Sequence, residues 1–517
     1  MSIKEDVKSL LKTITNEVKA AVGYQQSFEQ LLDNKDVARA IGMLQCNSTK
    51  AVRHLADYNA ETHKIMSRDK KAIYDKNGNF LRNKDVNRIS IPYQKFINEV
   101  ALVFLYGRPI KWTNSTVNPH YEERKTLQEM LGQQEAENKE KIEKRIAEIN
   151  QWDYQHNAKF EKLKQQLIDC RFDAAIREAK RYAGCEECSA MLFHVYQENN
   201  EPKMLIRVLA KSKNDDIYTL FDQYNHLVAF AWGYTTLTSD SKTVRHYDIY
   251  TKEHVYFCTS SSSGTWVVDK KNNLVGKIPV IVFQQEVEWE GVQSIIERIE
   301  DAYSKNADTN DNFGDPALVA TSEIINTLPK QEEESKLYVL KSGGDIRYLE
   351  RANTNQSRQD EIDALDEQVM NKSFTPNITL EELKGLSNAS GATLQQVMLL
   401  ATIKADKRKE SHDGYLSRVG SLMKSIMGNV LDKKSGSYDE LEISHQFQEP
   451  FGSDVSKALD NAIKQYSAGG LSLQTLLEKS YLVQNADMEM ERIKKEQELE
   501  DERKKNNSIM DVFGTGL

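Results

Sequence analysis

Hydrophobic and polar positions along this chain follow two different periods. Over most of the sequence apolar residues recur every three to four positions, as at Val7, Leu10 and Ile14, which predicts amphipathic helices. Between residues 190 and 284 the period changes to two, in short runs separated by Asn- and Asp-containing turns, which predicts antiparallel strands. The chain is therefore predicted to be α+β, mainly helical, with one β-rich module.

Two acidic helices are predicted behind the β-rich module, at 290–313 and 357–372, each with an apolar stripe. Between them lies a compact α/β segment with strand-like runs at 337–340 and 346–349. Small, turn-forming residues at 387–391 then predict a loop, because Ser, Asn and Gly favour turns and helix starts. The next 41 residues, 392–432, contain no proline and predict one long helix, with its glycines as candidate points for a kink.

Composition describes a mildly acidic chain, with 78 acidic and 69 basic residues and a net charge of −9. This balance argues against a protein that grips duplex DNA through many phosphates. No apolar run is long enough for a membrane span, and the N-terminus lacks the pattern of a signal peptide. We therefore expect a protein that is made and used in a cytoplasm, with no membrane partner.

Known catalytic patterns are absent from the sequence. There is no G-x-x-x-x-G-K-[ST] loop, no H-E-x-x-H and no G-x-S-x-G, and the carboxylate pairs are those expected on solvated helices. Cys185 and Cys188 form a lone CxxC without a second ligand pair, which favours reduced thiols over zinc and leaves metal binding open. The charged run at 117–151 predicts a solvated helix or an insertion and suggests no function.

Several stretches, in this order along the chain, resemble the portal proteins of tailed bacteriophages of the siphophage type. Residues 89–109 resemble that family's N-terminal helix with its Tyr-Gly-x-Pro turn, and 276–283 its last wing strand. Residues 295–313 resemble its first stem helix, and 387–394 its tunnel loop entering the long wing helix. The run beginning Gly469-Gly470 resembles its C-terminal crown.

The resemblance implies a ring of about twelve subunits at one capsid vertex, through which double-stranded DNA is packaged and ejected. Its expected partners are the DNA in transit, the packaging terminase, the head-to-tail adaptor, and the major capsid and scaffolding proteins. No cofactor, metal or enzymatic activity is expected, and the location is the virion, after assembly in the host bacterial cytoplasm. The implied parts are a wing (1–288, with its β-rich part at 190–284), stem helix 1 (289–313), a clip (314–352), stem helix 2 (353–376), a tunnel loop (377–391), a long wing helix and return strand (392–450) and a crown (451–517).

Two sets of residues are implied to line the DNA channel. The tunnel loop would present uncharged and mostly small residues, namely Leu386, Ser387, Asn388, Ser390, Gly391 and Thr393. The stem would present acids, namely Glu297, Glu300, Asp301, Asp308, Asp311, Asp360, Glu361 and Asp363. Ring symmetry would turn inward-facing acids into a negative band along which DNA slides. The alternative is that these acids form a solvated outer face, and that the stripe at Ile295, Ile296, Ile299 and Tyr303 is packing within the subunit.

Two other functions stay open from the residues alone. A capsid scaffold or adaptor built on coiled coils would explain the charged helices, although a large β-rich module is out of place in such a protein. An enzyme of unrecognised type would use the module at 190–284, with Cys185 and Cys188 beside it. Metal analysis of the purified protein tests part of the last possibility, since less than about one tenth of a zinc per chain would exclude its zinc version.

Overall fold

The computed structural model describes residues 28–47, 49–75, 77–131, 136–238, 241–261, 265–313, 318–320, 346–348, 355–377, 398–448, 455–480, 489–490 and 492–497. The chain divides into two compact units. One comprises Met1–Ile378 with Met398–Gln448, and the other comprises Thr379–Val397 with Glu449–Leu517. Within the described ranges, no helix combines the length and the apolar character that a bilayer crossing requires.

The first unit is mixed helix and sheet, which confirms the predicted α+β class. Its helices are α1 (Val37–Gly42), α2 (Ala51–Tyr58), α3 (Tyr93–Tyr106), α4 (Tyr121–Leu131), α5 (Ala136–Asp169), α6 (Phe172–Glu186), α7 (Gln293–Phe313), α8 (Asn355–Lys372) and α9 (Leu399–Ile426). Its strands are β1 (Gln45–Cys46), β2 (Lys71–Tyr74), β3 (Phe80–Lys84), β4 (Lys111–Asn114), β5 (Cys188–Glu198), β6 (Glu201–Leu209), β7 (Asp216–Phe221), β8 (Leu227–Leu237), β9 (Thr243–Tyr250), β10 (His254–Ser260), β11 (Trp266–Asn272), β12 (Val280–Gln284), β13 (Leu318–Ala320), β14 (Ile346–Tyr348) and β15 (Ile443–Gln446).

The β-rich module predicted from the period of two contains two antiparallel sheets. The larger sheet has the order β1-β7-β8-β9-β10-β11, and the smaller has the order β12-β5-β6. Along β5, Ala190 and Leu192 belong to one hydrophobic cluster, whereas Met191 and Phe193 belong to another. The alternation therefore buries both faces of the smaller sheet, as the pleat of a strand requires.

Three hydrophobic cores arrange the first unit in layers. The helical residues near Phe28 and Leu32 pack on one face of the larger sheet, against Ala229 and Ala231 of β8. The other face of that sheet packs on the smaller sheet, where Phe230 joins the cluster of β5 and β12. The outer face of the smaller sheet packs on α3, α5, α6 and α9. The module thus supports a layer of helices that includes the long helix α9.

The segments around this layered core follow the sequence pattern closely. β2 and β3 pair as an antiparallel hairpin, and α3 lies within residues 89–109, where the resemblance implies a helix. The charged run at 117–151 contains α4 and the first half of α5. β14 pairs with β13, while the run at 337–340, which we predicted to be strand-like beside it, lies outside the described residues.

The predicted long helix is described from Met398 onward as α9, which continues into a π-helical turn at Met427–Leu431. Gly428 lies inside that turn, so the helix changes its winding at one of the three glycines that the sequence indicated. The chain then returns in β15, which pairs with β4. In the second unit, α10 (Val455–Ser467) and α11 (Leu473–Lys479) flank a turn in which Gly469 has a φ of 74°.

Candidate functional site

The two acidic helices, α7 and α8, pack against each other through an apolar face. Ile296 and Ile299 of α7 are fully buried and share a cluster with Val369 of α8. Ile295 and Tyr303 are partly buried against the same cluster. The stripe therefore holds the helix pair together inside the subunit, as the packing interpretation expected.

Glu300 lies on the buried side of α7, where its side chain is 1% exposed. One carboxylate oxygen accepts hydrogen bonds from His63 Nδ1 (2.6 Å) and from the backbone N–H of Ile91 (2.8 Å). Burial alone would lower the pKa of His63, but the hydrogen bond and charge of Glu300 outweigh burial, so that pKa is raised. This acid therefore acts within the subunit, on a buried histidine.

Two acids near the end of α7 hold the chain segment that precedes α3. Asp308 accepts a hydrogen bond from the backbone N–H of Asn87 (2.6 Å) and forms an ion pair with Arg68 (2.8 Å). Asp311 accepts from the side-chain amide of Asn87 (2.6 Å). Burial raises the pKa of Asp308, but the Asn87 amide and Arg68 lower it by a larger amount, so the net shift is downward. These carboxylates fasten α7 to the segment that precedes α3.

Arg298 links α7 to α8 on the exposed side of the pair. Its guanidinium lies 3.1 Å from Asp301 on the same helix and 2.6 Å from Glu361 on α8. Lys305 pairs with Asp301 as well, at 2.7 Å. Since all four side chains are substantially exposed, water screens these pairs and each contributes little to stability.

The other predicted stem acids are more accessible. Glu297 pairs with Lys64 (3.0 Å), and Asp363 accepts a hydrogen bond from Gln359 (2.7 Å) one turn earlier on α8. Asp360 and Asp363 are exposed, and both lie on α8. Most of the predicted channel acids therefore have partners inside the subunit, which reduces the net negative charge that the helix pair presents.

The predicted tunnel-loop residues lie outside the described residues, namely Leu386, Ser387, Asn388, Ser390, Gly391 and Thr393. The described segments that flank this stretch run up to Asn377 and start again at Met398, and one side chain joins them. Lys404, in the second turn of α9, donates hydrogen bonds to the backbone oxygens of Ser373, just after α8, and of Glu288, just before α7 (3.0 and 2.8 Å). The chain therefore leaves α8 and enters α9 at positions fixed relative to each other.

The same lysine belongs to a buried charge cluster around Glu288. This carboxylate and the Lys180 ammonium are both fully buried and in direct contact, and Lys404 and Arg408 approach the carboxylate to 3.1 and 3.4 Å. Burial raises the pKa of Glu288, but the three cations lower it more strongly, so the carboxylate stays ionised. Burial lowers the pKa of Lys180, which Glu288 partly offsets. The cluster joins α6, the entry to α7 and α9.

The sequence did not predict this cluster, although one residue, Lys180, gives a signal of it. Lys180 occupies a position on the apolar face of α6, in register with Ile176, Ala179 and Ala183, all of which are buried. A lysine at such a position needs a buried acid, because an unpaired ammonium is rarely found in a protein interior. The identity of that acid depends on tertiary structure.

The CxxC pair shows no feature of a metal centre. Cys185 and Cys188 are buried and unbonded to each other, and burial raises the pKa of both thiols. In the described ranges, the one group of side chains with metal-ligand chemistry is Glu29, Glu253 and His254, far from this pair in sequence. His254 already forms a hydrogen bond with Glu29 (3.2 Å).

Taken together, these features describe a chain in which charged groups fasten helices to one another. A family model described as "Phage portal protein, SPP1 Gp6-like" matches residues 49–503. The chain therefore belongs to that family of phage portal proteins, as the ordered resemblance along the sequence predicted, and it is a virion protein of a structural family.

Other comparisons add less. No curated protein matches the chain. Among solved structures, one that resembles it is titled "Neck of native GTA particle computed with C12 symmetry". The identity is 9% and the TM-score 0.37, over 74% of this chain and 89% of that one.

Proposed function

We propose that this protein forms a ring of about twelve copies at one capsid vertex, through which double-stranded DNA is packaged and later ejected. The observation that carries the proposal is the family match over residues 49–503. The absence of known catalytic motifs from the sequence is consistent with a conduit that has no active site. In this role the protein binds no cofactor, and its chemistry is confined to contacts with DNA and with other proteins.

In this proposal the first unit supplies the wing, stem and clip, and the second supplies the tunnel loop and the crown. The clip at 314–352 docks the terminase during packaging and the head-to-tail adaptor afterwards, while the wing meets the major capsid and scaffolding proteins. The boundaries follow the sequence, with a wing at 1–288 and 392–450, stem helices at 289–313 and 353–376, a tunnel loop at 377–391 and a crown at 451–517.

The charge distribution of the stem suits a surface along which DNA moves. A channel should not bind phosphates tightly, because each phosphate neutralised by Lys or Arg releases counterions and adds affinity. The basic side chains Arg298 and Lys305 are already engaged by Asp301 and Glu361. The proposed lumen is thus weakly negative, with the exposed acids of α8, Asp360 and Asp363, as its best candidates for facing DNA.

The hydrogen bonds that Lys404 donates to Ser373 and Glu288 suggest how the tunnel loop acts. Because Lys404 ties the end of α8 to the start of α9, a displacement of the loop by DNA must be taken up within the loop or passed into α9. We place the DNA contact on Ser387, Asn388, Ser390 and Thr393, whose short uncharged side chains favour transient contact over grip.

Deleting residues 380–388 tests the proposed role of the loop. We expect rings to form normally, as seen by native mass spectrometry and negative-stain microscopy, while the DNA packaged per particle falls at least about tenfold, since the loop would be the main contact with DNA. A matched variant replaces the same nine positions by Gly and Ser, which preserves length and removes side chains.

The outcomes separate the assembly role from the DNA role. If the deletion abolishes rings, the loop is an assembly element and its proposed contact with DNA is wrong. If the full-length protein forms only monomers or dimers at micromolar concentration under every salt condition, the conduit itself is wrong. A rod-shaped particle without a pore would favour the coiled-coil scaffold instead.

A further inference from the structure

A cavity of about 220 Å³ lies between α9 and the β-rich module, away from the stem and the loop ends. Arg418 and Ser421 of α9 line one side of it, opposite Lys277 just before β12 and Lys252 in the turn between β9 and β10. The remaining described lining residues are apolar, namely Leu227, Ile278 and Leu422. The cavity is therefore lined by three cations and a hydroxyl, and its described lining contains no carboxylate.

The Arg418 side chain is unusual in this subunit. It is partly buried, yet within the described part of the chain its guanidinium has neither a hydrogen-bond acceptor nor an ion-pair partner. Lys252 is exposed and likewise has no partner among the described residues. Lys277 donates to the backbone oxygen and the hydroxyl of Ser421 (3.1 and 2.6 Å), so only part of its donor capacity is used. The three cations therefore have hydrogen-bond donors that no acceptor among the described residues uses.

Unpaired cations in such a place are costly. Proteins seldom withdraw a charge from water without a partner, and elsewhere in this subunit Lys180 and Lys404 share Glu288. Burial lowers the pKa of Arg418. Burial also lowers that of Lys277, helped by the neighbouring cations Lys424, Arg418 and Lys252 and opposed by Asp439. Both shifts are in the direction that a missing counter-charge produces.

We propose that Lys252, Lys277 and Arg418 form a binding site for a tetrahedral oxyanion, a phosphate group. Arg offers a planar fork of donors and Lys a compact charge, and together with a hydroxyl this set suits a doubly charged oxyanion with several acceptor oxygens. The phosphate group belongs either to inorganic phosphate or to a nucleic-acid backbone, which share this chemistry. Bound there, it links α9 to the β-rich module and neutralises the cluster.

The test uses the full-length protein in chloride buffer. Inorganic phosphate at pH 8 is titrated at constant ionic strength, with binding followed by calorimetry and ³¹P NMR and stability by thermal unfolding. We expect one site per subunit and a melting temperature that rises with phosphate but not with added chloride. Arg418→Gln should weaken binding about tenfold or more, since it removes a charge-assisted donor pair.

Two further variants guard the interpretation. Lys252→Gln changes an exposed side chain, so it should fold normally while weakening phosphate binding several-fold, even if Arg418→Gln proves unstable. Lys95→Gln removes an exposed charge from α3 and should leave phosphate binding unchanged. Equal responses to phosphate and chloride, or equal losses in Lys252→Gln and Lys95→Gln, would overturn the proposed site.

A short DNA duplex distinguishes the two sources of the phosphate group. If the site takes a backbone phosphate, a 12-base-pair duplex displaces inorganic phosphate from the wild type and binds the Arg418→Gln variant more weakly. If it takes free phosphate, the duplex has no effect on the ³¹P signal of the bound ion. Phosphate binding does not depend on ring formation. The proposed phosphate site can therefore be wrong while the proposed conduit is right, and the conduit can be wrong while the site is right.

Discussion

Two groups of basic side chains, each with members on α9, have opposite surroundings. Toward the start of the helix, Lys404 and Arg408 converge with Lys180 on the buried carboxylate of Glu288. About three turns later, Arg418 lines a cavity together with Lys277 and Lys252, and the described lining of that cavity has no carboxylate. The first group is complete within the subunit, and the second lacks its counter-charge.

The difference separates two uses of buried charge. A carboxylate surrounded by cations from three segments fixes how α6, the entry to α7 and α9 fit together, because any other packing leaves charges unpaired. A group of cations without an acid does nothing for the isolated subunit and is ready to accept an anion. The start of α9 is therefore held in place by the Glu288 cluster. The second half of α9, which carries Arg418, is the part whose packing a bound anion can stabilise.

The largest expected effect comes from removing the central carboxylate. Glu288→Gln leaves Lys180 and Lys404 buried without a negative partner, which should lower the free energy of unfolding by about 3–5 kcal/mol. The measurement is chemical denaturation of the purified protein at neutral pH. Glu290→Gln is the control, since Glu290 is exposed two residues away and should change stability by less than about 0.5 kcal/mol. Equal effects of the two substitutions would show that the cluster is not a structural fixture.

The sequence alone could predict the elements that lie on either side of these clusters. The change of period at residue 190 located the β-rich module, and the proline-free run after 392 located α9, because amphipathic patterns are local. Gly428 was among the indicated weak points, and the π-helical turn includes it. The family followed from the order of several short stretches along the chain.

The clusters themselves could not be predicted, because their members are distant in sequence. Lys180, Glu288 and Lys404 meet only after α6, α7 and α9 have packed, just as β1 joins the larger sheet through β7, across some 170 residues. For the same reason Glu300 was grouped with the channel acids, although tertiary structure buries it against His63. Counting acids along a helix does not reveal which of them already have partners.

An intermediate effect is expected at that second buried carboxylate, because its partner can titrate. The pKa of His63 is raised in the folded protein. The pairing of His63 with Glu300 therefore contributes fully to the free energy of unfolding below the unfolded pKa of about 6.5, and this contribution is lost as pH rises through the folded pKa. Glu300→Gln should therefore cost about 2 kcal/mol at about pH 6 and less at about pH 9. Asp57 also raises the pKa of His63, so part of this upward shift remains in the Glu300→Gln variant.

The pH series is measured by chemical denaturation of wild type and variant in parallel. Glu290→Gln serves as the comparison, because Glu290 is exposed and has no histidine partner among the described residues, so its small cost should be the same at about pH 6 and about pH 9. A cost of Glu300→Gln that grows with pH would contradict the assignment of His63 as the titrating partner.

The smallest expected effect has the opposite sign and tests the comparison most directly. Arg418→Met removes a partly buried charge that has no partner among the described residues, while Met keeps the apolar packing of the arginine stem. In phosphate-free buffer this variant should therefore be as stable as the wild type or more stable, by up to about 1 kcal/mol. Phosphate at about 100 times the wild-type dissociation constant should reverse the order, since it stabilises the wild type by about 2.7 kcal/mol and a variant that binds about tenfold more weakly by only about 1.4 kcal/mol. If Arg418→Met is instead destabilised to the same extent in both buffers, Arg418 has a structural partner, and the two ends of α9 do not differ in the way argued.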